Sequence, residues 1–435
     1  MKIAFLTLGC KLNYAETSTY ERGFVQNGLE VVPWEDKADV YLINTCSVTE
    51  RAEKKCRNVI RKMHRVAPLS HIVVTGCYAE LRREELGKIE GVALVFGAKE
   101  KSKVVPDTMA MLRGEAMATY STKEASLAAE YKEISKETMS AFSTEGRTRS
   151  FLKVQDGCNN FCAYCTVPFA RGNSRNIPIA EVIENAKKIA ASGVKEVVIT
   201  GVNTGDFGKT TGESFLDLLK QLNEVEGIER YRISSIEPNL ITEDIIRWIA
   251  SGTKFQPHFH IPLQSGSDTI LSRVGRRYTT DFFAERIDFI RSVMDPKPGE
   301  EGGNLKPYVF FGIDVIAGLP GETDELFEET YSFLKDRVRP AFIHVFPYSK
   351  RPGTVAAGWK DQVKDSVKTE RVARLEALCE ELHSEFVQKN RGRQGKVLWE
   401  SDEKDGMMGG YTGNYIRLEK AFDPASVNEI EDVII

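Results

Sequence analysis

Apolar residues in the first hundred positions fall into short continuous runs separated by longer amphipathic stretches. KIAFLTL (2–8), DVYLIN (39–44) and HIVVT (71–75) are too short and too uniformly apolar for amphipathic helices, and they predict strands covered on both faces. Between the first two, NYAETSTYERGFVQNG (13–28) sets Tyr20 and Phe24 four apart and stops at Gly28, which predicts a helix. After the second, Ser47 to Glu50 has the spacing of a capping box and leads into the basic stretch RAEKKCRNVIRKMHR (51–65). Strand and helix alternating at this pitch predict a parallel α/β sheet of flavodoxin or Rossmann type.

A second alternating pattern runs from about 151 to 349. FLKVQD, EVVITG, YRISSI, HFHIPL, VFFGIDVIAG and AFIHVFPY are six strand candidates, mostly separated by helical stretches such as IAEVIENAKKIAASG. Six successive βα units predict a barrel or partial barrel, with its chemistry at the carboxyl ends of the strands. Polar and glycine-rich turns follow those ends: Thr200 to Asn203, Ser234 to Pro238, Gln264 to Gly266 and Gly318 to Glu322. The stretch from 114 to 149 is polar and predicts an interdomain connection. Past the helix through His383, KVLWES, GGYTGNYIRLEK and NEIEDVII predict a small β barrel. The expected division is 1–115, a linker at 116–143, a barrel domain at 144–375 and a terminal domain at 376–435.

At 435 residues and 41% hydrophobic, the chain has ample material for several cores. No apolar run is long enough to span a membrane and no export signal is evident, so a cytoplasmic protein is expected. A net charge of −4 gives no overall mark of a nucleic-acid binder. Basic groups at 51–65, Arg171/Arg175, Arg273/Arg276/Arg277 and Arg391/Arg393/Lys396 together make a phosphate-tracking surface plausible.

The eight cysteines add the chemistry. In a reducing compartment thiols are more often metal ligands or buried small hydrophobes than disulfide partners. Cys10, Cys46 and Cys77 each follow one of the first three predicted strands, where a parallel sheet gathers strand ends along one edge, so a shared metal site is expected. Cys56 and Cys379 fall inside helical patterns and are expected to be structural. DGCNNFCAYCT (156–166) packs Cys158, Cys162 and Cys165 into eight residues with no fourth thiol near. Structural zinc wants four protein ligands, and catalytic zinc wants a general base that is not evident here. An iron–sulfur cubane suits three thiolates and leaves one iron open.

The CxxxCxxC motif, with Tyr164 before its last cysteine, resembles the radical S-adenosylmethionine (SAM) superfamily. Over nearly the whole chain, TLGCKLNYAET, NTCSVTERAEKKCRN, TGCYAE, SRVGRRYT, DVIAGLPGET and HVFPYSKRPGT resemble the methylthiotransferase family, and the tail resembles a TRAM domain, a small RNA-binding barrel. The resemblance implies two [4Fe-4S] clusters, one on Cys158, Cys162 and Cys165 that cleaves SAM, and an auxiliary one on Cys10, Cys46 and Cys77. It implies SAM contacts at Tyr164, at Gly201 and Asn203 near the amino group, at Glu237 near the ribose, and at Gln264. Asn203 departs from the acidic residue common at that place. The implied reaction is insertion of a methylthio group at C2 of N6-threonylcarbamoyladenosine, position 37 of tRNA. The implied partners are the tRNA anticodon stem-loop and a reductant protein, with neither membrane nor DNA. Related branches act on N6-isopentenyladenosine or on an aspartate of a ribosomal protein. From another class, a non-catalytic RNA-binding protein stabilised by metal remains open.

Overall fold

The computed structural model describes residues 1–115, 138–144, 148–297 and 305–435. Most of the polar connection, 116–137, lies outside the described residues.

The first sheet is parallel, in the order β2-β1-β3-β4-β5, from β1 (Lys2–Thr7), β2 (Glu30–Val31), β3 (Val40–Thr45), β4 (His71–Gly76) and β5 (Val92–Phe96). The strands β3 and β4 are buried at every position but His71 because helices cover both faces. Ala4, Tyr41, Ile43, Ile72 and Val74 pack with Cys56, Ile60 and Met63 of helix α2 (Glu50–Val66). Ile3, Val40, Leu42 and Val73 pack on the other side with Tyr20 and Phe24 of helix α1 (Lys11–Gln26). Cys56 is thus structural. The predicted capping box is corrected: Thr49, not Ser47, caps α2 by accepting from Ala52 N at 3.1 Å. Ser47 instead donates to Glu53 and accepts from Arg351, a residue of the second lobe.

The predicted strand at 151–156 splits into β6 (Arg149–Lys153) and β7 (Gln155–Asp156), which pairs antiparallel with β8 (Arg175–Asn176). β6 joins β9 (Glu196–Thr200) and β10 (Arg230–Ile233) in one parallel sheet. β11 (His258–Gln264), β12 (Phe310–Ala317) and β13 (Phe342–Pro347) form another, and the bridge Ser235 to His260 links the two. The result is a six-stranded partial barrel. Strand residues alternate: Leu152, Val197, Ile199, Tyr231, Phe259, Ile261, Phe311, Ile313 and Ile343 face the surrounding helices in one core. The opposite face carries Arg149, Glu196, Arg232, His258, His260, Asp314 and His344, a polar lumen. The long helix Asp365–Asn390 adds Leu375, Leu378, Cys379 and Leu382 to the barrel core, which accounts for Cys379.

The tail forms a four-stranded antiparallel sheet, order β16-β15-β14-β17, from β14 (Gln394–Lys404), β15 (Met407–Thr412), β16 (Arg417–Ala421) and β17 (Ile430–Ile434) around Val397, Trp399 and Met408. It covers the amino-terminal end of the barrel. Arg232 donates to the carbonyls of Thr412 and Gly413, each at 2.8 Å, and Arg149 donates to the Tyr415 hydroxyl at 3.0 Å. No helix among the described residues is long and apolar enough to cross a membrane.

Candidate active site between two cysteine trios

Cys10, Cys46 and Cys77 follow β1, β3 and β4, three adjacent strands, at their carboxyl ends. Gly9 turns the chain at φ +117°, where a Cβ would stand 3.2 Å from Cys46 Sγ. Cys46 and Cys77 are buried and Cys10 is exposed. Burial, and then the facing Cys77 thiol, push Cys46 up to about 12. Burial likewise raises Cys77, opposed by the nearby Arg171 guanidinium.

Arg171 belongs to a buried ionic network between the lobes. Glu16 of α1 meets Lys101 at 2.9 Å, Lys153 at 2.9 Å and Arg171 at 3.2 Å, while Asp156 meets Lys153 at 2.7 Å and Arg171 at 3.0 Å. Burial works against charge on both carboxyls, and Lys101, Lys153 and Arg171 overrule it, holding them well below their usual range. Arg171 also donates to Asn13 Oδ1 at 2.5 Å. Its expected place on a phosphate-tracking surface is therefore corrected.

The second trio sits on the loop after β7. Gly157 has φ +74°, and a Cβ there would lie 2.0 Å from Asn173 O, so only glycine fits this turn. Three N–H groups point at the sulfurs: Asn160 N to Cys158 Sγ at 3.5 Å, Val167 N to Cys165 Sγ at 3.4 Å, and Arg276 Nη1 to Cys162 Sγ at 3.3 Å. Burial and the neighbouring thiols raise Cys158 to about 11 and Cys165 to about 12. Arg276 is buried here, paired with Glu237 at 2.8 Å, so it too is corrected from surface to site. Arg273 pairs with Asp361 at 2.7 Å.

Three thiols that repel one another as anions, yet receive N–H donors at sulfur, fit an iron–sulfur cluster. A single zinc ion, with Zn–S near 2.3 Å, would draw its sulfurs to within about 4 Å of one another. Among the described residues, the one group of three or more His, Cys, Asp or Glu ligand atoms within 4.8 Å of one another is His260, Asp314 and His344. Neither cysteine trio closes to that span.

Glu237 also accepts from Asn160 Nδ2 at 2.7 Å, which ties the end of β10 to the cysteine loop. Tyr164 packs with Ile270, Leu319 and Tyr348 beneath that loop. Gln155 Oε1 accepts from Val202 N at 2.9 Å and Asn203 N at 3.0 Å, which fixes the turn after β9. A Cβ on Gly201 would meet Gln155 Oε1 at 2.8 Å. Asn203 is buried with neither amide atom partnered, the state expected of a side chain waiting for a polar ligand. Gln264 closes β11 at φ 72°, and among the described residues its side chain makes no hydrogen bond to the cysteine loop.

Sequence reasoning missed Glu16, Lys101, Lys153 and Asp156, and it missed the lumen group His260, Asp314 and His344. The available signal was polar residues interrupting apolar strands, as Asp314 does within VFFGIDVIAG.

Comparison with known proteins agrees with this geometry. Residues 152–334 match the profile of the Radical SAM superfamily, and residues 2–97 match one described as "Uncharacterized protein family UPF0004". Among solved structures, the radical SAM methyltransferase TsrM from Kitasatospora setae superposes with a TM-score of 0.59 at 13% identity, over 82% of this chain and 75% of its own. The fold and site together define a radical SAM protein. Threonylcarbamoyladenosine tRNA methylthiotransferase MtaB of Bacillus subtilis is 40% identical over 96% of this chain and 89% of its own length. The MtaB of Aquifex aeolicus is 38% identical over 92% of each, and a tRNA-2-methylthio-N(6)-dimethylallyladenosine synthase of Wolinella succinogenes is 33% identical over 93% and 89%. This chain belongs to the methylthiotransferase family.

Proposed function

We propose that this enzyme inserts a methylthio group at C2 of N6-threonylcarbamoyladenosine at position 37 of tRNA, in the cytoplasm, on the anticodon stem-loop and with electrons from a reductant protein. The observation that carries the reading is the placement of two cysteine trios at the strand ends of two abutting α/β lobes, in a chain 40% identical to a relative named for this reaction. Cys158, Cys162 and Cys165 would hold one [4Fe-4S] cluster and Cys10, Cys46 and Cys77 a second, with SAM at the first. When bound, these groups supply an electron, a carbon-centred radical able to take hydrogen from an inert C–H bond, and the donated sulfur.

The protein's own residues bind, orient and balance charge. Arg276 donates to Cys162 Sγ and pairs with Glu237, so it offsets thiolate charge and holds the carboxylate in place for ribose hydroxyls. The unpartnered Asn203 amide, on a turn fixed by Gln155, would receive the polar end of SAM. Tyr164 backs the loop from its apolar side. Arg171, held in the buried network by Glu16, Asp156 and Asn13, supplies positive charge felt by Cys77 of the auxiliary trio. The loop after β13 clasps the amino-terminal lobe through Arg351 to Ser47 at 3.2 Å and Ser349 to Glu50 N at 3.1 Å, so the trios keep a fixed separation.

The non-catalytic reading gains no support from cysteines too widely set for single zinc ions. Nucleoside analysis of tRNA from cells lacking the gene is the test. The 2-methylthio form of threonylcarbamoyladenosine is expected to vanish; its persistence, with no second gene of this family present, would overturn the assignment.

A further inference from the structure

The lumen under the two trios contains polar side chains that the reaction above does not use. His260, Asp314 and His344 lie on three adjacent strands with their polar atoms within 4.8 Å of one another. His260 Nε2 stands 2.7 Å from Asp314 Oδ1, and the His260 and His344 rings are 4.9 Å apart. His260 and Asp314 keep about a fifth of their side-chain surface open, at 21% and 18%, so this layer lines accessible space. Two residues beyond His344 on the same strand face, Phe346 is 46% exposed, a large apolar side chain at the rim.

Lys11, on the other lobe, is electrostatically coupled to this layer. It follows Cys10 directly as the first residue of α1, and its charge is felt by Asp314 and His344 across the lobe boundary. The arginines nearby are committed: Arg232 to Glu196 at 2.8 Å and to the last sheet, Arg149 to Glu400 at 2.8 Å and Tyr415. Lys11 has neither an ion pair nor a hydrogen bond from its ammonium group among the described residues, although it is partly buried. Burial, and then the neighbouring His260, lower His344 to about 4 against the pull of Asp314, so its imidazole is neutral and able both to donate and to accept. A half-buried cation beside a neutral imidazole, with unspent hydrogen-bonding capacity, is complementary to a small anion that also carries a hydroxyl.

The proposed substrate has such a group. Its N6 arm ends in a carboxylate and a secondary hydroxyl, and N6 and C2 lie on one edge of the purine, on either side of N1. An arm on N6 must therefore lie close to whatever reaches C2, and Lys11 adjoins a cysteine of the auxiliary trio. We propose that the barrel lumen is the pocket for the amino-acid arm of the substrate nucleoside, with Lys11 pairing with its carboxylate and His344 hydrogen-bonding its hydroxyl. The inference rests on the proposed function and adds what selects the substrate. An apolar isopentenyl arm would leave Lys11 and His344 desolvated without partners, which is how a polar pocket rejects a hydrocarbon.

The test uses the enzyme with its clusters reconstituted and anticodon stem-loop RNA carrying threonylcarbamoyladenosine, its carboxylate methyl ester, or isopentenyladenosine. Wild type is expected to favour the acid over the ester by about 100-fold in kcat/KM, as for loss of one buried charge pair. Lys11→Met should erase that preference mainly through KM, with iron content unchanged, and Lys11→Arg should restore part of it. His344→Phe, remote from every cysteine in sequence, should raise KM for the acid while the ester-to-acid ratio moves little. Equal handling of acid and ester by the wild type, or an undiminished preference in iron-replete Lys11→Met, would overturn the pocket alone. Failure of the wild type to modify the acid form at all would overturn the substrate assignment and the pocket with it.

Discussion

Arg171 and Arg276 play parallel parts, each a cation with a buried side chain: Arg276 donates to Cys162 Sγ, and the charge of Arg171 is felt by Cys77. A hydrogen bond to a ligating sulfur favours the reduced cluster, so Arg276→Leu is expected to lower the reduction potential of the SAM-binding centre, measurable by potentiometric titration with iron content as control. Glu16 is a buried anion that Lys101, Lys153 and Arg171 share, and Glu16→Ala would leave the three cations with Asp156 as their one buried partner carboxylate. A loss of about 3–5 kcal/mol is expected, read as a lower denaturant midpoint. The pH dependence follows from the sign of the shift. Glu16 and Asp156 are depressed in the fold, so their stabilisation is complete above their ordinary values of 4.5 and 3.8 and fades only as pH falls through and below them. Thermal stability should therefore show no loss from this network between neutrality and about pH 5, and Glu16→Ala should flatten the acid limb. The cysteines were legible in the sequence because a thiol at a strand end has few other uses in a reducing compartment. The two arginines were not, since a basic residue looks the same in sequence whether it is solvated or paired with Glu16 or Glu237 far along the chain.

Elements were legible where burial is uniform. β3 and β4 are covered on both faces, and their apolar runs marked them to within a residue. The barrel strands were found as runs, but the polar lumen was not, because alternate residues such as Arg232, His260 and Asp314 take their meaning from strands brought together only by the fold. The α2 cap moved from Ser47 to Thr49 because Arg351, some three hundred residues away in sequence, claims Ser47. The loop bearing Cys158 depends on one backbone conformation at Gly157. Gly157→Ala forces a Cβ against Asn173 O and is expected to cost this loop its cluster, seen as loss of about half the iron and of SAM cleavage.

At the scale of the molecule, the two α/β lobes meet edge to edge through Glu16, Lys153 and Arg171 on one side and Arg351 on the other, while the terminal sheet covers the far end of the barrel. That sheet supplies the carbonyls that satisfy Arg230 and Arg232. Deleting the residues after 393 is accordingly expected to lower thermal stability of the whole enzyme by several degrees, because it leaves those guanidiniums buried without acceptors. The partition into two lobes and a terminal β unit could be read from the changes in hydrophobic period along the chain. The interfaces could not, since each joins residues more than a hundred positions apart. The proposed chemistry requires that each lobe carry its own cluster-binding trio at the shared boundary. Iron and sulfide analysis of anaerobically purified protein tests it most directly, comparing wild type with Cys158, Cys162 and Cys165 all changed to Ala and with Cys10, Cys46 and Cys77 all changed to Ala. Each variant should keep about half the wild-type iron, the first losing SAM cleavage and the second keeping it without forming methylthio product. Full wild-type iron in the Cys10, Cys46 and Cys77 variant would contradict the claim.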